Sequence, residues 1–449
     1  MEAHCGVAWM EFIVKGSFVV VRPNKILEDA VVVVEDDRIV DVGKESELKG
    51  KYSGYEIIGG KGKVVLPGLV NCHTHAAMTL LRGYADDMVL SEWLTQKIWP
   101  VEAHLKPEDI YVGTLLACLE MLKSGITAFA DMYFYMDKAA KAVVESGIRA
   151  VISHGMIELG NAEKGERDLR EAERIVRTCQ GLGDGRVTTM FGPHAPYTCS
   201  PEYLQKVKET AEKYGVGIHI HLAETKDEVK KIEDTFGIDL KGKGVIEYVD
   251  ELGILDSNVL AAHVVWVSEK EIKILAERGV KVAHNPVSNL KLASGIAPIP
   301  QMLRNGVTVG LATDGAASNN CLDIFEEMKV SAIIHKAHSF DPTVTSATEV
   351  LEMATIGGAK ALFLDKDIGT LEVGKKADIV ILDLKKPRLV PLHNIVSHLV
   401  YAAKCDDVCT VIVDGKILME NGEVKVLDEN KVIELAQKTA EDLISRAQT

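Results

Sequence analysis

Disulfide scaffolding is the first thing the composition rules out: eight cysteines lie at irregular spacings in 449 residues, too sparse for a stapled framework. Cys405 and Cys409 form one close pair, but no second pair completes a metal set, so they read as structural or free thiols. Long apolar runs are missing as well. No stretch reaches the roughly 18 residues a membrane helix needs, and the N-terminus has no basic region followed by an apolar core and a small-residue cleavage site. A cytoplasmic protein is expected. Nor is there a cluster of Lys and Arg. With a net charge of −15, nucleic acid and anionic membranes make poor partners, and the 66 acidic residues read as a solvated surface.

What is present is a 47% apolar content, enough to fill a large core with a smaller domain beside it. Residues 1–9 precede a second methionine, Met10, after which strand-like sequence begins at once. They read as an extension, with Met10 as the natural start. Residues 10–63 then carry short alternating strands such as Phe18–Val21, Ala30–Val34 and Ile39–Gly43. The same texture returns in residues 371–449, with Ala377–Leu382 and two Asp-Gly or Asn-Gly turns at Asp414-Gly415 and Asn421-Gly422. The two flanks predict one composite β-sandwich. Helical apolar spacing over Asn430–Arg446 predicts a helix packed on it.

Between the flanks, residues 64–370 alternate apolar runs with amphipathic helices, including Pro107–Lys123, Pro201–Tyr214, Glu269–Arg278 and Ile324–Lys336. The pattern predicts βα units around parallel strands. Candidate strands end near His75, Asp131, His154, His194, His221, His263, His284 and Asp314. Eight such units predict an α/β fold, a (β/α)8 barrel, whose site lies at the C-terminal ends of its strands. Packing explains a histidine or aspartate at one strand end more readily than at all eight.

Val64 to His75 is an apolar strand closing on His73 and His75, and side chains two apart on a strand share a face. Taken alone the pair is either half a metal shell or a polar strand end. His221, with Glu224 three residues on, then His263 and Asp314, bring further donors to the same mouth. Three imidazoles and a carboxylate suit zinc or ferrous iron with one position left for water, whose pKa then falls towards 7. Glu224 and Asp314 are placed to move its protons.

With these residues the chain resembles the amidohydrolase superfamily, and within it the 5-methylthioadenosine/S-adenosylhomocysteine deaminase family, from Met10 onward. The resemblance rests on Leu66-Pro67-Gly68-Leu69-Val70-Asn71-Cys72-His73-Thr74-His75, on Glu92-Trp93-Leu94 followed by Ile98-Trp99-Pro100-Val101-Glu102, and on Gly192-Pro193-His194-Ala195-Pro196-Tyr197. It continues in His219-Ile220-His221-Leu222-Ala223-Glu224-Thr225, in His284-Asn285-Pro286-Val287-Ser288-Asn289-Leu290-Lys291-Leu292, and in Thr313-Asp314-Gly315 with Ser318-Asn319-Asn320. It implies a metal-dependent hydrolase barrel with a flanking sandwich. It implies one divalent metal, zinc with iron as the alternative, held by His73, His75, His221 and Asp314. His194 stands where two-metal relatives carry a bridging lysine.

The resemblance further implies deamination of 5′-modified adenosines to inosine analogues and ammonia in a small-molecule salvage role. Glu224 would protonate the ring nitrogen, Asp314 would accept the water proton, and His263 would orient the nucleophile. Glu102 would take the ribose hydroxyls, with His194 and Ser318 among the substrate contacts. His154 replaces an arginine common in bacterial members, which weakens the case for a charged 5′ tail and brings the chain closer to archaeal-type members. Family members are often dimers or tetramers. The alternative reaction is deamination of a free base or another aminated heterocycle such as guanine, cytosine or a triazine. A non-catalytic metal-stabilised scaffold is the rival of another class. Cys72 reads as core, His284 as structural or as a support behind the site's ligands, Trp93 and Trp99 as cavity wall or core, and Asn289 and Lys291 as residues ordering a loop over the site.

Overall fold

Alternation of apolar and polar side chains builds the first strands. In β1 (Glu11–Arg22), Phe12 and Val14 are buried and Lys15 lies at the surface side; β2 (Lys25–Glu35) and β3 (Arg38–Lys44) follow as antiparallel neighbours. β4 (Glu56–Pro67) returns parallel to β1. A computed structural model describes residues 11–448, so the expectations for residues 1–10 lie outside the described residues.

Chain direction changes role at Gly68, which leaves β4 and enters the barrel. A Cβ there would sit 1.9 Å from Thr127 Oγ1, so only glycine fits the crossing. Eight parallel strands follow: β5 (Leu69–Thr74), β6 (Ile126–Tyr133), β7 (Arg149–Met156), β8 (Val187–Pro193), β9 (Gly217–Leu222), β10 (Val259–His263), β11 (Lys281–His284) and β12 (Thr308–Leu311). Covered by helices outside and filled inside, they are buried on both faces and therefore read as unbroken apolar runs. Their ends fall within about three residues of those expected. At the seam between β12 and β5, Asp314 N–H donates to His73 O at 3.0 Å, and Asn71 donates to Thr313 Oγ1 while accepting from Thr313 N–H.

The chain then comes back to the first sheet as β13 (Ile379–Asp383), β14 (Val408–Val413), β15 (Lys416–Glu420) and β16 (Glu423–Val424). β13 pairs antiparallel with β4, Ile379 opposite Pro67. The composite is thus one continuous eight-stranded mixed sheet, ordered β16-β15-β14-β13-β4-β1-β2-β3. Its core joins residues from both ends of the chain, among them Phe12, Val32, Ile58, Ile379 and Ile412. The last helix, Glu429–Gln448, departs from expectation. It lies against the barrel helix Pro107–Lys123, where Arg446 donates to Asp109 Oδ2 at 2.8 Å. Amphipathic spacing had shown that the helix has an apolar face but not which neighbour covers it.

Sheet and barrel are pinned by a buried ion cluster. Arg149, at the start of β7, donates Nε and Nη2 to the two oxygens of Asp378 at 3.0 and 2.9 Å and reaches Asp414 at 3.3 Å. All three are buried. Removing one member of such a cluster leaves unpaired charge in the interior. Arg149→Leu is expected to cost about 3–5 kcal/mol, read as a lowered denaturation midpoint in guanidinium.

Candidate active site

A tetrahedral ion with bonds of about 2.1 Å spaces its ligands roughly 3.4 Å apart. The atoms at the C-terminal mouth of the barrel stand at that spacing. Asp314 Oδ1 lies 3.5 Å from His73 Nε2 and 3.4 Å from His75 Nε2, and His75 Nε2 lies 3.4 Å from His221 Nε2. His73 Nε2 is buried and has no hydrogen-bond partner among the described residues. Three neutral imidazole nitrogens and one carboxylate oxygen fit a divalent metal. The two groupings that could hold an ion both contain His73, so they describe one centre.

The other ring nitrogens explain the aim. His75 Nδ1 donates to Met132 O at 2.6 Å and His221 Nδ1 to His194 O at 2.7 Å. His73 Nδ1 lies 2.7 Å from His219 Nε2, and His219 Nδ1 lies 3.3 Å from Ser153 Oγ, which donates to Asp131 O. With each Nδ1 bearing the proton, every Nε2 presents its lone pair to the centre. The route to this geometry differs from a regular strand. β5 ends at Thr74, the pairing with β6 shifts register between Asn71 and Thr74, and His75 opens a 3-10 turn over Ala76–Leu81. Cys72 is core, as expected, packed with Val70, Ala128 and Ala130.

Asp314 is held from both sides. Its Oδ1 accepts from Gly315 N–H at 2.8 Å, while Oδ2 accepts from Ser288 Oγ at 2.6 Å and Ser318 Oγ at 2.7 Å. Ser318 lines the cavity, yet its hydroxyl is engaged by Asp314. His263 Nδ1 donates to Asn289 Oδ1 at 2.8 Å, turning Nε2 towards the cavity. Asn289 therefore does more than order its loop. Glu224 stands across the cavity, buried, with its carboxyl pushed above the usual carboxylate range by burial and by the charge of Asp314, against the opposing pull of His263. The backbone N–H groups of Ala223 and Glu224 donate to the Glu228 carboxylate at 3.0 and 2.8 Å, which fixes the turn bearing Glu224.

Further out the cavity is walled by Trp93, Trp99, Glu102, Tyr133, Phe134 and His194. Glu102 accepts from Tyr133 Oη at 2.6 Å, and burial raises its carboxyl pKa. His194 Nδ1 pairs with Thr198 Oγ1 at 2.9 Å; burial lowers the ring to about 3, so it is neutral. His154 is not in this cavity. It faces an adjoining hollow of about 720 Å³ that shares Trp99, Glu102, Phe134 and Ile157 with the first. His284, read as structural, has its Nε2 3.1 Å from His335 Nε2, and Lys291, which the structure puts at the end of the short helix Pro286–Lys291 rather than on a loop, is bound to Asp86 and Asn320. Ser288, His219 and Glu228 carried no role in the sequence reading. The alternation His219-Ile220-His221 was the one available signal, because it puts both rings on one face.

Residues 64–418 match the Amidohydrolase family. The chain is 54% identical to a 5′-deoxyadenosine deaminase of Methanosarcina acetivorans, over 97% of this chain and 99% of that one. It is 50% identical to a 5-methylthioadenosine/S-adenosylhomocysteine deaminase of Pelotomaculum thermopropionicum, over 94% and 96% of the two chains. A crystal structure of an adenosine deaminase from Xanthomonas campestris with bound zinc superimposes with a TM-score of 0.90 at 35% identity, covering 97% of this chain and 99% of that one.

Proposed function

We propose, from the premise that this chain belongs to the amidohydrolase family, that it is a hydrolytic deaminase converting 5′-modified adenosines to inosine analogues and ammonia. The observation that carries the reading is the convergence of His73, His75, His221 and Asp314, with three of their pairs at 3.4–3.5 Å, opposite a buried Glu224 whose carboxyl pKa is raised by burial. When bound there, a divalent ion acidifies water and stabilises charge on the oxygen added to the ring. Zinc suits the three-nitrogen, one-oxygen shell, and the Xanthomonas relative carries it.

The protein's own groups account for the proton movements. Asp314, oriented by Ser288 and Ser318, takes the proton that water loses on adding to C6. Glu224, whose carboxyl pKa is raised by burial, gives a proton to N1, which turns the aromatic amidine into an electrophile. His263, with Nδ1 committed to Asn289, turns Nε2 towards the cavity and orients the attacking water. The amino group then departs as ammonia with the proton from Asp314, and the proton that the C6 hydroxyl loses as it becomes a carbonyl restores Glu224. Glu102 accepts the ribose hydroxyls and His194 contacts the nucleoside.

The cavity over the centre is about 80 Å³, well below the roughly 300 Å³ of ordinary ligand pockets, whereas the adjoining hollow is large and partly apolar. This division supports a base seated over the ion, with the 5′ group extending past Glu102 into the hollow beside His154. Of the charged groups there, Lys164 is bound to Asp168 and to Ile157 O, Glu171 to Arg174, and the exposed Arg167 to Glu163. Dimer or tetramer assembly in the cytoplasm accompanies this reading, and light scattering of the purified protein reads the assembly.

Ammonia release from the zinc-loaded enzyme tests the reaction. 5′-Deoxyadenosine and 5′-methylthioadenosine should exceed S-adenosylhomocysteine by about tenfold in kcat/KM, the ratio one lost charge-assisted hydrogen bond carries. No turnover of any nucleoside, with turnover of guanine or cytosine, overturns it in favour of a free-base deaminase.

A further inference from the structure

Glu327 is a buried carboxyl, 1% exposed, on the helix Ile324–Ser339, and the reaction above makes no use of it. Both its oxygens are occupied by donors. Oε2 accepts from Val287 N–H at 3.2 Å, and Oε1 accepts from Asn319 Nδ2 at 2.6 Å. The same Asn319 Nδ2 also donates to Thr313 O at 2.7 Å. Each anchor point is therefore one residue away from a group that matters: Val287 precedes Ser288, Asn319 follows Ser318, and Thr313 precedes Asp314. Ser288 and Ser318 are the two hydroxyls on Asp314 Oδ2.

We propose that Glu327 is a positioning residue that sets the rotation of the Asp314 carboxylate through the two serine-bearing segments, the short helix Pro286–Lys291 with Ser288 and the turn after Asp314 with Ser318. A carboxylate free to turn about its last bond presents either oxygen, or neither, to the centre. Two hydroxyls converging on Oδ2 select one orientation and leave Oδ1 facing His73 and His75. The hydroxyls converge only if these segments hold a fixed separation, and Glu327 spans them. Its geometry is of a kind a carboxylate supplies and an amide does not, since a glutamine would turn an N–H pair towards either Val287 N–H or Asn319 Nδ2. The inference rests on Asp314 being a metal ligand.

Zinc affinity tests this without reference to turnover. In competition with a chromophoric chelator, Glu327→Gln is expected to weaken zinc binding by about 10–100-fold, the range for losing a group that orients a ligand. The cycle with Ser288→Ala and Ser318→Ala separates positioning from general support. If Glu327 acts through the serines, Glu327→Gln adds less than about twofold in the doubly substituted background. An equal loss in both backgrounds overturns the proposal, as does unchanged affinity in the single variant. Glu327→Asp, which keeps two acceptor oxygens, should recover part of the affinity. Should the wild-type protein bind zinc tightly yet release no ammonia, the deaminase reading fails while this cycle still decides the role of Glu327.

Discussion

Glu224→Gln is expected to lower kcat by about 10³-fold, within the range general acid catalysis contributes, while zinc content and KM stay close to wild type. Glutamine fills the same space among His263, Tyr197 and Asp314 around the cavity, so the wall keeps its shape. What it cannot do is release a proton to N1. The wild-type carboxyl is suited to that task because burial, reinforced by the charge of Asp314, raises its pKa and keeps it protonated at a higher pH than an exposed glutamate. Paired measurement of kcat and bound zinc checks the expectation. A variant with wild-type kcat would remove Glu224 from the chemistry and revive the reading of a metal-stabilised scaffold.

Stripping the metal should have the other large effect. Dialysis against a chelator is expected to abolish ammonia release, and zinc should restore it. Stability should follow: at a free zinc concentration about 1,000-fold above Kd, binding adds about 4 kcal/mol, read as a higher Tm for the zinc-loaded protein than for the stripped one. The physical reason is the crowding of His73, His75, His221 and Asp314 at ligand spacing. The Nε2 lone pairs face one another, and His73 Nε2 has no hydrogen-bond partner among the described residues. His221→Ala should give the same loss of activity, and added zinc should not rescue it at concentrations that restore the stripped wild type.

Much of this site is legible in the sequence, because its donors sit at ends of strands whose apolar runs announce themselves. His221 and His263 stand where strands buried on both faces stop, and each stop is read from composition alone. The spacing of His73 and His75 predicts one regular strand, whereas the register shifts beside His73 and His75 has already left the strand. Ser288, Asn289 and Glu327 were illegible as functional residues for a different cause. Each acts through a partner 26 or more residues away, and such pairings arise only when β10, β11 and β12 lie side by side. The C-terminal helix shows the same limit, since its period reveals a face but not what covers it.

The pairing of β4 with β13 has a consequence for how the protein is made. β4 is an interior strand of its sheet, between β1 and β13, yet its second neighbour lies beyond the entire barrel in the chain. At ribosomal rates of about 5–20 residues per second, the edge of β4 stays bare for roughly 15–60 seconds after it emerges. A bare strand edge that carries Ile57, Ile58, Val64, Val65 and Leu66 invites pairing with another nascent chain. The order of synthesis therefore gives this enzyme a vulnerable interval that its finished form conceals. A circular permutant that makes residues 371–424 first and runs directly into β1 would present the complete sheet before the barrel begins, and so shorten that interval.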